Sequence, residues 1–155
     1  VRVGLIGCGK EKLDHAAPAK DLYVGSFFKL CKQWISKPGR VDEWAILSAK
    51  YGLVLPEQAI EPYDCTLNGG MYADYKARQS WAIRTSGEIV KRWCAQNTVF
   101  MILAGANYRM AVEWVPMVED VIRCWTDWRR ESGMRRPQMS IGVIKKYLKN
   151  DEGYY

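Results

Sequence analysis

Histidine is nearly missing from this chain: His15 is the one copy among 155 residues. It sits in a polar stretch, where a lone imidazole is most simply a solvated side chain. Cysteine occurs five times, at Cys8, Cys31, Cys65, Cys94 and Cys124, an odd number at wide spacing. No CxxC pair and no Cys/His cluster is present, which removes a zinc site and leaves reduced thiols in a cytosolic protein as the simplest account. No apolar run approaches the roughly 20 residues of a bilayer span, so no membrane partner is expected. No secretory signal pattern is seen. The sequence opens at Val1 already in strand-like residues, and a short preceding segment is therefore expected. Internal repeats, low-complexity tracts and linkers are absent, and the length is that of one domain, 1–155, with a frayed tail at 150–155.

What is there is an apolar fraction of 48% with ordinary charge content, which suits a folded core. The net charge of +6 and a pI near 9.1 favour polyanionic partners. The physical reason is long-range attraction and counterion release. Nucleic acid is the partner expected, DNA ahead of RNA. Charge alone is also compatible with an ordinary basic protein.

The chain is organised around residues 44–64, WAILSAKYGLVLPEQAIEPYD. The run Trp44-Ala45-Ile46-Leu47 is long enough for one buried strand and too short for a helix. It stops at Ser48-Ala49-Lys50-Tyr51-Gly52, residues better suited to leaving a core and meeting a ligand. A Pro-bracketed loop then delivers Pro62-Tyr63-Asp64. Upstream, residues 1–6 read as the first strand, ending in Gly7-Cys8-Gly9-Lys10. Glycines there let backbone N–H groups approach an anion. The GxxxxGK[ST] spacing is absent, and Lys12 occupies the last glycine position of a would-be GxGxxG. The alternative is a plain strand-to-loop turn.

Residues 13–20 read as a loop, and 22–35 as a helix with Tyr23, Phe27, Leu30, Cys31 and Trp34 at helical spacing. Asn68-Gly69-Gly70 is a turn. Residues 71–96 are helical in pattern, as one helix or two. Trp81, Ile89 and Trp93 lie on neighbouring faces, and Arg78, Arg84, Lys91 and Arg92 on a face that is most simply solvated. Residues 99–103 form the third strand, ending in Gly105-Ala106-Asn107-Tyr108. A further helix carries Trp114, Val118, Val121, Ile122 and Trp125, with Pro116 kinking or restarting it. Residues 128–136 form an exposed basic loop with Arg129, Arg130, Arg135 and Arg136. Ser140 caps a last helix over 141–149.

This alternation predicts an α/β fold: a mainly parallel central sheet flanked by helices, three layers, one domain. In such sheets ligands sit beyond the carboxyl ends of the strands, where all three strand endings converge. The chemistry available there is specific. Lys10, Lys12 and Lys50 suit phosphate. Tyr23, Tyr51, Tyr63 and Tyr108 offer faces for a base, and Asn107 can read a base edge. Gly7, Cys8, Gly9, Ser48 and Gly105 complete the pocket lining. Asp64 is the best-placed carboxylate, with Glu57 and Glu61 as alternatives and a turn or cap as the bland reading. A stacked base, a held phosphate and one carboxylate are what cleavage of an N-glycosidic bond requires. No metal and no cofactor is needed, and nothing in the sequence speaks to oligomeric state.

Four motifs together resemble an uncharacterised domain family of bacteria and phages. They are Gly7-Cys8-Gly9-Lys10-Glu11-Lys12, then Asp21-Leu22-Tyr23-Val24-Gly25-Ser26-Phe27-Phe28, then Leu47-Ser48-Ala49-Lys50-Tyr51-Gly52-Leu53, then Glu61-Pro62-Tyr63-Asp64. That family is similar to the peroxide-stress protein YaaA and, more distantly, to the uracil-DNA-glycosylase-like fold. The resemblance implies a DNA- or nucleobase-directed domain. In glycosylases of the uracil class the Asp precedes the Pro-Tyr pair, whereas here Asp64 follows Tyr63. The expectation is a DNA glycosylase acting on a modified base, with Asp64, Asn107 and Lys50 catalytic. The alternatives are a non-catalytic DNA-binding stress-response domain using Arg129, Arg130, Arg135 and Arg136, and an enzyme or sensor for a free nucleotide.

Overall fold

A computed structural model describes residues 1–93 and 98–113. A central strand β1 (Arg2–Gly7) lies between β3 (Glu43–Ser48) and β6 (Val99–Leu103), parallel to both. A short strand β4 (Gly52–Val54) adds antiparallel to the free edge of β3. The order β4-β3-β1-β6 makes a mixed, mostly parallel sheet, in agreement with the α/β reading. The sequence pattern did not separate β4 from the loop that follows β3.

Alternation along the strands decides what covers each face. Ile6, Ile46 and Leu103 point to one side, where helix α2 (Ser26–Ile35) packs Phe28, Cys31, Trp34 and Ile35. Val3, Leu5, Ala45, Leu47, Phe100 and Ile102 point to the other. There helix α3 (Tyr75–Trp93) contributes Trp81, Ile89 and Trp93, and helix α4 (Ala106–Glu113) contributes Tyr108 and Ala111. Strands buried on both faces explain the unbroken apolar runs. Each large side chain removed from water stabilises the fold by roughly 1.5–3 kcal/mol. The chain leaves β1 through α2 to reach β3, then crosses through α3 to β6 on the far side of β1. The strand order therefore reverses around β1, and the crevice at its carboxyl end is where such folds take ligands.

The structure corrects the reading of residues 13–25. They hold a two-residue strand β2 (Ala17–Pro18) and a helical turn α1 (Ala19–Leu22), and α2 starts only at Ser26. Strand β2 pairs antiparallel with β5 (Ala59–Ile60), a register too short to leave a periodic signature. Of the 71–96 pattern, the described part up to Trp93 is one helix, α3, preceded by a 3₁₀ turn at Gly70–Tyr72, and residues 94–96 lie outside the described residues. The expected Trp114–Trp125 stripe, the basic loop with Arg129, Arg130, Arg135 and Arg136, and the helix over 141–149 all lie outside the described residues.

Gly52 joins β3 to β4 at φ +76°, and a Cβ there would stand 2.6 Å from Glu88 Oε2. That carboxylate accepts the Leu53 N–H at 2.8 Å and so ties α3 to the β3–β4 turn. Gly39 has a matching φ of +77° with nothing within 4 Å. Gly52→Ala is expected to cost about 2–4 kcal/mol and Gly39→Ala only about 1 kcal/mol. Urea midpoints at constant slope test this, and equal losses would remove the proposed clash with Glu88.

Candidate functional site

The tip of β1 is closed by packing before any ligand arrives. A Cβ on Gly7 would meet Ala104 Cβ at 3.0 Å. The close approach of Ala104, just past β6, therefore favours a small residue at Gly7. Cys8 follows, its N–H donating to Leu47 O at 2.9 Å. The Cys8 Sγ accepts the Ala49 N–H at 3.4 Å and lies 3.4 Å from the Tyr108 hydroxyl.

The segment 48–52 is held by several hydrogen bonds. Ser48 is fully buried. Its carbonyl accepts Trp81 Nε1–H at 2.9 Å, and its Oγ accepts the Tyr51 N–H at 3.0 Å. The Ala49 carbonyl accepts the Tyr72 hydroxyl at 3.0 Å. Lys50 is left exposed, its Nζ 5.1 Å from the centre of the Tyr51 ring.

Tyr63 gathers these pieces. Its hydroxyl is 2.7 Å from Ser48 Oγ and 2.8 Å from the Tyr23 hydroxyl. Its ring meets Tyr51 edge-on at 5.5 Å. Burial, and then the proximity of Cys8, pushes the Tyr23 phenol up to about 12, and the same causes raise Tyr63 and Tyr108. Lys12 stands over Tyr63, with Nζ 4.3 Å from the ring centre. Burial lowers its ammonium pKa against the opposing pull of Cys8, Asp64 and Cys65. Burial likewise raises the Cys65 thiol, with Cys8 adding to it and Lys12 opposing.

Beside this cluster opens a cavity of about 530 Å³ lined by Lys50, Tyr63, Asp64, Cys65, Met71, Tyr72 and Arg84. Its size is that of a small-molecule site. Lys50, Tyr63 and Asp64 were expected at such a site. Cys65, Met71, Tyr72 and Arg84 were not, and Arg84 had been read as part of a solvated helix face. No sequence signal marked Arg84: the docking of Trp81 onto Ser48 is what brings that turn of α3 to the cavity. Among the described residues, no three His, Cys, Asp or Glu side chains converge as a metal would require.

Other expected residues are placed elsewhere. Tyr108 is 5% exposed and packs edge-on against Trp81 at 5.8 Å. Its hydroxyl takes the Leu67 N–H at 3.3 Å. Tyr23 is 2% exposed, its ring against Phe28 at 4.9 Å. Neither ring has a free face, so stacking on them is withdrawn. Asn107 Nδ2 donates to Leu67 O at 3.1 Å and to Asn68 Oδ1 at 3.0 Å, bracing the 66–68 loop. Its amide protons are engaged in that loop contact. Gly105 opens α4, and a Cβ there would meet nothing within 4 Å; at Gly9 it would meet only Phe28 at 3.9 Å. Lys10 is exposed and contributes its carbonyl, which accepts Lys12 Nζ at 3.2 Å. Glu57 is paired with Lys20 at 2.7 Å, and His15 with Asp14 at 2.7 Å. Glu61 is exposed, its carbonyl 3.5 Å from the Tyr51 hydroxyl. Arg129, Arg130, Arg135 and Arg136 lie outside the described residues.

Tyr63→Phe removes one hydroxyl and strands two buried partners, so a loss of about 1–3 kcal/mol is expected in denaturant unfolding. Ser48→Ala in the same background should then cost little. Full additivity of the two changes would show that the hydroxyls do not act as one network.

The raised phenols also fix a pH dependence. An unfolded tyrosine ionises near 10, whereas Tyr23 in the fold holds its proton to about 12. The stability from the Tyr23 phenol is present in full below pH 10 and is lost as pH rises through about 12, and the other two raised phenols act in the same direction. Phenolate absorbance should show a masked set that ionises only as the circular dichroism collapses. Complete titration near 10 with the fold intact would contradict the burial argument.

The chain belongs to a family of unknown function, DUF6884, whose model matches residues 3–124. It is 35% identical over 89 residues to the "Uncharacterized protein YfjM" of Bacillus subtilis (strain 168), a match covering 50% of this chain and 58% of that protein. The chain thus spans a little over half the length of that relative. No solved structure matches the chain significantly.

Proposed function

We propose, from the chemistry of the site, that this member of a family without assigned activity cleaves or exchanges the N-glycosidic bond of a nucleotide, a modified base in DNA being the favoured substrate. The observation that carries the reading is one cavity lined by a single carboxylate, two cations and an aromatic wall: Asp64, Lys50 and Arg84, and Tyr63. The cations suit the sugar-phosphate. Tyr63, with Tyr51 beside it, offers aromatic surface to an extruded base. Tyr23 supports that wall, its hydroxyl 2.8 Å from that of Tyr63. Asp64 is exposed on the cavity rim.

As the C1′–N bond breaks, its electron pair leaves with the base, and positive charge develops at C1′. Asp64 stabilises that charge. A water then adds to C1′ and passes its proton to the carboxylate. In the exchange variant, an incoming base nitrogen takes the place of water. This reading retains the likeness to the stress-protein and glycosylase-like folds as an expectation about substrate. A cytoplasmic location accords with it, and no helix among the described residues is long and apolar enough to cross a membrane. The same cavity also fits a free nucleotide. That second reading is favoured by the cavity volume of about 530 Å³, which is of single-nucleotide scale.

The test is incubation with duplexes bearing normal and modified bases, with abasic sites revealed by alkaline cleavage. Breaks specific to one modification are expected, and Asp64→Asn should slow them roughly 10²–10⁴-fold. Full activity in Asp64→Asn would remove Asp64 from the chemistry. Thermal stabilisation by a mononucleotide and none by DNA would favour the free-nucleotide reading.

A further inference from the structure

We propose that Lys12 is a nucleophile whose amine condenses with the C1′ aldehyde of an abasic deoxyribose, giving the protein a lyase activity on the product of base removal. The inference rests on the reading above that the cleft takes a nucleoside sugar beside Asp64.

The placement of Lys12 is set by the backbone. The Leu13 N–H donates to Leu22 O at 2.9 Å and the Val24 N–H to Glu11 O at 3.0 Å. Lys12 itself pairs with Tyr23 as an antiparallel bridge. Its side chain therefore leaves from a fixed base rather than from a swinging loop. The Nζ lies 4.3 Å from the centre of the Tyr63 ring and 5.7 Å from that of Tyr23. Its hydrogen bond within the described residues is to the Lys10 carbonyl.

Lys20 and Lys32 serve a different purpose. Each is closed off in an ion pair, with Glu57 at 2.7 Å and with Asp21 at 3.2 Å. Among the described residues Lys12 makes no ion pair within 4.0 Å. It is half-buried against aromatic walls, and Asp64 and Cys65 are close enough to act on it electrostatically. Its neighbours Tyr63, Asp64 and Cys65 line the cavity. Desolvation shifts the amine toward its neutral, nucleophilic form. Lys50, exposed on the cavity rim, fits the role of holding phosphate instead.

The chemistry closes without an outside oxidant or reductant. The Nζ lone pair attacks the aldehyde carbon, and the aldehyde oxygen leaves as water, so that a C=N bond replaces C=O. The resulting iminium acidifies C2′–H. Asp64 takes that proton, a C2′=C3′ double bond forms, and the C3′–O bond breaks with its electrons leaving on the phosphate. Water then hydrolyses the imine and returns the free amine of Lys12.

The test uses the whole chain and an oligodeoxynucleotide with one abasic site, with and without sodium borohydride. With the reductant, a one-to-one covalent complex is expected, and peptide mapping should place the reduced secondary amine on Lys12. Without it, the same DNA should be nicked by β-elimination. Lys12→Gln and Lys12→Ala should lose both signals, while Lys29→Ala, an exposed change on α2, should keep them. Mapping on the unsubstituted protein keeps the test decisive even if a Lys12 variant misfolds. No complex, or an adduct on another amine, overturns the inference. Base release from a modified duplex with no trapping overturns the lyase and leaves the glycosidic reading standing. Trapping on Lys12 without base release from any duplex does the reverse.

Discussion

The hydrogen bond between Ser48 Oγ and the Tyr63 hydroxyl, 2.7 Å long, is the contact on which the site depends. Ser48 ends β3 and is fixed from three other directions: its own strand, the Trp81 indole and the Tyr51 amide. Tyr63 comes from a loop that has no strand or helix of its own to hold it. Joining the two moves rigidity from the sheet to the loop, and with it to the adjacent Asp64 and Cys65. A buried hydroxyl without a partner is costly, so the geometry is selected sharply. Tyr23 extends the chain of hydroxyls to the α1–α2 side, and Tyr108 reaches Cys8 from α4. The layers on both faces of the sheet therefore meet at one set of phenols.

This arrangement explains why the motifs were easier to find than to interpret. The α/β class, the three parallel strands and the helices α2 and α3 were legible because buried strands and amphipathic helices leave periodic marks. Strands β2, β4 and β5, of two or three residues each, leave none. Ser48, Lys50, Tyr51, Tyr63 and Asp64, which the strand-end rule groups, do lie together in the structure. The rule says which edge matters, but it does not say which side chains on that edge face outward. Tyr108 and Asn107 lie at the right edge and point inward, one to Trp81 and the other to the 66–68 loop. Arg84 was missed for the converse reason. Its neighbours in sequence make a solvated face, and only the docking of Trp81 onto Ser48 brings that turn of α3 to the cavity.

The pattern of neutral and charged groups then limits what the cleft accepts. Three buried phenols are held protonated, so they add hydrogen-bonding capacity without charge. Cys65 is kept toward its thiol form as well. Among the residues lining the cavity, Lys50 and Arg84 face a single carboxylate, Asp64, and Lys12 adds a third cation at the Tyr63 ring. The local balance is cationic, and the walls that focus it are aromatic and thus of low dielectric. Under the proposed function, an anionic ligand with an aromatic part is what would match this balance. Of the three cations, Lys12 is half-buried against aromatic rings, whereas Lys50 and Arg84 are exposed. Under the lyase proposed above, that burial serves reactivity, and the exposed Lys50 and Arg84 supply the electrostatic hold.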